Sequence, residues 1–399
     1  MTEFMCGFGK KNIVERKKSP TAIPKLEGFP SEEELLRAER ETSPLVLALS
    51  VSAHCNLKCK YCYTDAGEKL PGELNFENHK KIIDEFAALN KNKKYIVIAM
   101  MGEPFLDKSF YNAKGTKIKD PVTGNDFESQ FPIIDYANKY NIKVVFFTNT
   151  TIMDPEIASK LKNKDVSIIG KLNTLNPSLQ EEMTGNRGSF IEENWVNYEY
   201  KDEKEIKKIK VPKGLKILMD AGLNKADEKG STRLGVDIIL TKENYKDIPA
   251  VVEFCLKNGI HPVLDTMIPL GTAAKKYPEL KLELEEDKWL YKKLVELMGP
   301  EFTKEEFTGR PCSTFRAGIA YDNFGNVKMC CGGETENLGN VKNDSLKKIY
   351  PKIVEHKEMF LKNLKENGVI GGALKPDMFP ECPVAANFRK KLENHNETY

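Results

Sequence analysis

Short apolar runs alternate with amphipathic segments along much of this chain. PLVLALSVS, residues 44–52, is apolar almost throughout and predicts a buried strand. ENHKKIIDEFAALNK then places Ile82, Ile83, Phe86 and Leu89 at helical spacing. YIVIAMMG reads as a second buried strand, PIIDYANKYN as a helix and KVVFFTNT as a third strand. PEIASKLKN, VSIIGKLN, RLGVDIIL, NYKDIPAVVEFCLKNG and HPVLDTMIP continue the series as helix, strand, strand, helix and strand. Six strands that are apolar on both faces, separated by helices, predict a parallel sheet wrapped by helices, as a barrel or an open sheet.

Four regions depart from this rhythm. Residues 1 to about 43 are polar and end in a predicted helix, SEEELLRAERE. NAKGTKIKDPVTGND, 112–126, is an insertion punctuated by glycine and proline. Residues 185–231 carry the charge-dense YKDEKEIKKIKVPK, which is expected to be a solvated helix or loop face. From about residue 310, short strands, a turn at DNFGN and four further cysteines predict a separate module.

Composition narrows the function classes. The 399 residues hold 61 Lys+Arg against 59 Asp+Glu, a balance that points to neither a nucleic-acid nor a membrane partner. No apolar run approaches the roughly 18 residues of a membrane span, and MTEFMCGFGKKNIVERKK lacks the apolar core of a secretory signal. A cytoplasmic location is expected, where thiols stay reduced. The nine cysteines form two groups, with Cys6 and Cys255 apart, so metal or cluster ligation is favoured over disulfides.

The first group, Cys55, Cys59 and Cys62 in CNLKCKYC, directly follows the first predicted strand. Loops after the strands of parallel β/α folds gather at one mouth and carry the chemistry. A [4Fe–4S] cluster takes one thiolate per iron, so three close cysteines leave one iron open to another ligand. A structural zinc site asks for a closed set of four, and zinc is the competing reading. His54 is read as a structural or supporting residue.

Here the chain resembles the radical S-adenosylmethionine (SAM) enzymes, whose signature is C-x-x-x-C-x-aromatic-C, with Tyr61 as the aromatic. The resemblance implies an α/β fold: a partial (β/α)6 TIM-like barrel followed by a small α+β twitch-like cluster-binding module. It implies that SAM binds the open iron and is reductively cleaved to methionine and a 5′-deoxyadenosyl radical, which abstracts a substrate hydrogen. AMMGEP resembles the family's GGEP, with Met101 replacing the first glycine; Gly102 and Glu103 are expected at the amino group of SAM. Thr148 and Asn149, at the end of the third strand, are implied as SAM or substrate contacts. Lys171 and Asn173 share one side of the fourth strand, and a lysine there must find an anion or reach outward. Asp265 stands where an acid often lies in the molybdopterin-precursor cyclase branch.

The C-terminal stretch resembles a SPASM or twitch module through Cys312, the hairpin turn with Gly325 and Val327, Cys330, and LGNV…SLKKIY. One auxiliary [4Fe–4S] cluster is implied, on Cys312, Cys330 and Cys382, with Cys331 a fourth candidate. The expected division is an N-terminal extension at 1–43, the barrel at 44–300, and the auxiliary module and tail at 301–399. The expected activity is oxidation or rearrangement of a small polar metabolite. Peptide modification is the second reading, and a non-catalytic zinc or iron–sulfur protein the reading from another class. An electron donor such as ferredoxin or flavodoxin, and oxygen sensitivity, complete the expectations.

Overall fold

The computed structural model describes residues 23–89, 92–98, 101–185, 194–201, 205–299, 313–329 and 337–366. Its frame is an eight-stranded sheet. We label the strands β1 (Val46–Leu49), β2 (Tyr95–Ile98), β3 (Lys143–Thr148), β4 (Val166–Lys171), β5 (Leu234–Leu240), β6 (His261–Thr266), β7 (Gly318–Tyr321) and β8 (Val327–Lys328). The order across the sheet is β6-β5-β4-β3-β2-β1-β7-β8. β1 to β6 run parallel in sequence order, as the six predicted strands require. β7 adds itself parallel to β1, and β8 turns back antiparallel. This is the partial barrel of the expected fold class.

Period-two alternation gives the sheet two apolar faces. Leu47, Ile96, Val144, Phe146, Ile168, Val236 and Ile238 face the helices and share one core with Ile82, Phe86, Ile133, Leu161 and Phe254. Val46, Tyr95, Val97, Val145 and Ile169 form the other face, in a second core with Leu26, Leu35 and Ala38. The N-terminal segment therefore packs against the strands' inner face. It is held by Lys143, whose Nζ lies 2.7 Å from Glu27 and 2.6 Å from Asp165, and by Lys25–Leu26, which pairs with Ser231–Thr232. The predicted helix there forms as Glu32–Glu41, started by a reciprocal capping box between Ser31 and Glu34.

The insertion at 112–126 folds with the next residues into a hairpin, Thr116–Lys119 with Asp126–Ser129. The charge-dense run corrects the expectation of a solvated helix or loop: Trp195–Lys201 pairs antiparallel with Ile206–Pro212. Glu199, Lys201, Lys208 and Lys210 alternate with Val196, Tyr198, Tyr200, Ile209 and Val211, a strand period hidden by the density of charge. Tyr198 and Tyr200 pack edge-on against Phe254 of helix Ile248–Lys257. Among the described residues no helix is long and apolar enough to cross a membrane.

Candidate metal centre

Beyond β1 the backbone stays buried through Ser50–Ala53 and then opens into the cysteine loop. Neighbouring elements hold that loop from several directions. Glu73 accepts from Ser52 Oγ at 2.7 Å, from the Ala53 amide at 2.9 Å and from the Leu70 amide at 3.1 Å. The same carboxylate accepts from Asn323 Nδ2 at 2.9 Å, in the turn between β7 and β8. Cys55 N donates to Gly67 O at 2.8 Å, and Gly67 N to Ala53 O at 2.9 Å. Lys58 N and Lys60 N donate to the carbonyls of Thr184 and Met183, and Ala273 N donates to Cys62 O.

The turn after β2 abuts the loop most closely. Gly102 has φ +73°, and a Cβ there would sit 2.2 Å from Ser52 O and 2.6 Å from His54 O. Only glycine tolerates both that backbone and that contact. Met101, in place of the family's first glycine, is half-buried. Glu103 is buried, and both its oxygens accept from the protein: Thr148 Oγ1 at 2.8 Å and the Phe105 amide at 3.3 Å on one, the Asn149 amide at 2.7 Å on the other. Burial pushes this carboxyl up to about 7, against the lowering effect of those donors. Its side chain thus ties the ends of β2 and β3 together.

Asn149 also reaches the loop. Its Nδ2 donates to Asn56 Oδ1 at 2.8 Å, and Asn56 Nδ2 donates to Thr151 Oγ1 at 2.8 Å. Thr151 closes the ring by donating to Asn149 Oδ1 at 2.6 Å. Asn56, next to Cys55, is thereby fixed to the end of β3. Thr150 and Thr151 also line a cavity of about 180 Å³ with Asp154, Lys213 and Gly214.

Cys55, Cys59 and Cys62 are half-buried. Burial pushes the Cys59 thiol up to about 12; the Tyr61 hydroxyl and Lys171 pull it down, while Cys62 and Cys55 push it up further. A cationic iron core takes cysteines as thiolates, and so offsets the cost of ionising a buried thiol such as Cys59. Among the described residues no three His, Cys, Asp or Glu side chains converge as one ion's ligands do. A cubane asks instead for one thiolate at each of three separate iron corners. The donor set fits such a cluster.

Beside the thiols lies a polar group inside the barrel. Lys171 Nζ sits 4.7 Å from the centre of the Tyr61 ring and 2.6 Å from Asp237 Oδ2. β4 and β5 pair Lys171 directly with Asp237, so the anion that the lysine needs is supplied by the next strand. Asn173 donates through Nδ2 to the Tyr61 hydroxyl at 2.8 Å and accepts the Ile239 amide on Oδ1 at 3.0 Å. Tyr61 is buried with Met183, Met267, Ala273 and Leu280, and Cys59 packs on the same cluster. Asp265, on β6, is exposed.

Cys312, Cys330, Cys331 and Cys382 lie outside the described residues. Cys255 is buried in the outer core, and burial alone pushes its thiol up, as for a packing residue. Sequence reasoning passed over Glu73, Asn56 and Asp237. Asp237 alone carried a signal: a lone acid inside the apolar run RLGVDIIL, on the strand next to Lys171.

A family profile described as the Radical SAM superfamily matches residues 49–255. Mycofactocin maturase MftC of Mycolicibacterium smegmatis is 23% identical over 356 residues, 85% of this chain and 77% of that protein. Fe-coproporphyrin III synthase of Methanosarcina barkeri is 23% identical over 258 residues, 64% of this chain and 51% of that protein. Streptococcus suis SuiB bound to S-adenosylmethionine aligns with a TM-score of 0.53 at 14% identity, covering 88% of this chain and 80% of that one. SuiB bound to the precursor peptide SuiA aligns over 88% of this chain and 79% of that one, at 14% identity with a TM-score of 0.52.

Proposed function

The chain belongs to the radical SAM superfamily and is an enzyme; on that premise we propose that it reductively cleaves S-adenosylmethionine and removes a hydrogen atom from a polar substrate held in the barrel mouth. The observation that carries this reading is the trio Cys55, Cys59 and Cys62, half-buried on a loop fixed from several sides. When bound there, a [4Fe–4S] cluster with one open iron supplies the electron that converts SAM to methionine and a 5′-deoxyadenosyl radical.

The protein's own residues do the positioning. Cys55, Cys59 and Cys62 would hold three irons. Gly102 lets the turn after β2 approach the loop, which brings backbone rather than the occupied Glu103 carboxylate towards SAM. Asn149 and Asn56 join the loop to the end of β3. Tyr61, Lys171 and Asn173 line the side of β4 nearest the thiols. The C-terminal cysteines Cys312, Cys330 and Cys382, with or without Cys331, are proposed to carry one auxiliary cluster in a twitch-like module beyond residue 300. The resemblance of CSTFRAGIAYDNFGN and LGNV to that module supports this. A low-potential ferredoxin or flavodoxin is the proposed electron donor.

For the substrate, the inward Lys171–Asp237 pair favours a polar molecule. A second reading, modification of a peptide, is favoured by the names of the relatives, a maturase and a protein crystallised with its precursor peptide. Anaerobic reconstitution tests the shared part. Roughly eight irons per chain are expected for two clusters, with 5′-deoxyadenosine formed from SAM under dithionite. Zinc without iron in anaerobically purified protein would reject the reading. Deuterium transfer into 5′-deoxyadenosine from a labelled peptide, or from a labelled metabolite, then separates the two substrates.

A further inference from the structure

Lys171 and Asp237 form an ion pair whose side chains are only 12% exposed. Removing two charges from water is expensive, and such a pair is weak evidence for stability. Its position gives it another use. Lys171 Nζ is fixed over the Tyr61 ring, 4.7 Å from its centre. The ring cannot swing away, because Asn173 holds its hydroxyl at 2.8 Å and is itself held by the Ile239 amide. Tyr61 lies two residues from Cys59, and both pack on one apolar cluster with Met183 and Met267. A cation and an anion are therefore locked beside the thiol trio in surroundings where water screens little.

We propose that Lys171 and Asp237, held against Tyr61, neutralise each other beside the cluster bound by Cys55, Cys59 and Cys62, so that neither charge displaces its reduction potential. This rests on the reading of those thiols as cluster ligands. The potential of an iron–sulfur centre follows its net charge, the hydrogen bonds to its sulfurs and its exposure. Reduction adds negative charge. A nearby cation favours the reduced state and raises the potential, and a nearby anion lowers it. Here the two nearly cancel, so the loss of either leaves the other uncompensated. Lys171 and Asp237 are positioning residues in this scheme, since they act on the cluster through the field they set around it.

The experiment is an EPR-monitored redox titration of the reconstituted enzyme, without substrate and with the auxiliary cysteines Cys312, Cys330 and Cys382 replaced by alanine. Asp237→Asn preserves shape and can still accept from Lys171. The oxygen that becomes its amide, Oδ1, has no hydrogen-bond partner among the described residues. The expected midpoint shifts to more positive potential in Asp237→Asn and returns close to the parent value in the Lys171→Gln/Asp237→Asn double variant. An unmoved midpoint in Asp237→Asn, or an equal shift in the double variant, overturns the proposal. Should asparagine at 237 prevent cluster loading, Lys171→Arg is expected to keep the parent midpoint and Lys171→Gln to move it negative; equal shifts in both again overturn it. Failure of the underlying reading looks different: the parent protein then loads no iron on the trio and shows no signal to titrate.

Discussion

The amide of Glu103 donates to the carbonyl of His54 at 2.7 Å, so the turn after β2 grips the residue immediately before the first cysteine of the loop. The contact needs close backbone approach, which Gly102 provides with φ +73° and no Cβ. Two segments about 50 residues apart thus form one platform for the metal site.

Gly102→Ala should damage that platform. The strained backbone alone costs about 1–3 kcal/mol, and the new Cβ would collide with Ser52 O at 2.2 Å. Gly124→Ala is the control, since it shares a positive φ of 74° but meets nothing within 4 Å. Denaturant titration and iron content should both fall well below the control for Gly102→Ala. Equal values for the two variants would remove Gly102 from the account.

Glu103 predicts a pH dependence. Burial raises its folded carboxyl to about 7, against an ordinary value of 4.5. Between these values the folded chain holds the extra proton, so stability declines as pH rises from about 4.5 through 7. The full loss from this group is roughly 3 kcal/mol. Urea unfolding of the apoprotein from pH 5 to 8 measures it. Glu103→Gln should flatten that component of the profile, and an unchanged slope would assign it elsewhere.

Glu73→Ala removes one acceptor from Ser52, Ala53, Leu70 and Asn323 together. Hydrogen bonds to a charged group are worth about 1.5–3 kcal/mol. The expected result is faster amide hydrogen exchange in both the cysteine loop and the 322–326 turn. Faster exchange in the loop alone would show that Glu73 does not join the two.

The two cysteine groups should separate by iron content. Cys55→Ala, Cys59→Ala and Cys62→Ala together should abolish 5′-deoxyadenosine formation while leaving roughly four irons on the C-terminal group. Iron and sulfide analysis with Mössbauer spectroscopy checks this. Loss of all iron in the triple variant would mean that a single centre is shared.

Local periodicity made the frame legible. PLVLALSVS, YIVIAMMG, KVVFFTNT, VSIIGKLN, RLGVDIIL and HPVLDTMIP are each apolar on both faces because each strand is covered on both sides, and all six appear in the sheet. The spacing CNLKCKYC likewise shows in the sequence alone, since three ligands within eight residues need no tertiary information to be close. YKDEKEIKKIKVPK misled because Lys201, Lys208 and Lys210 lie on one side of a hairpin whose other side packs against Phe254.

What the sequence by itself determined was the six parallel strands of the frame and the place where three thiols lie close along the chain, because burial and short spacing leave marks within a few residues. The tertiary structure alone decided the partners. Lys171 meets Asp237 across 66 residues, and Glu73 meets Asn323 across 250. The physical reason is that a strand's own pattern states that a side chain faces inward, whereas strand order and register choose which group waits there.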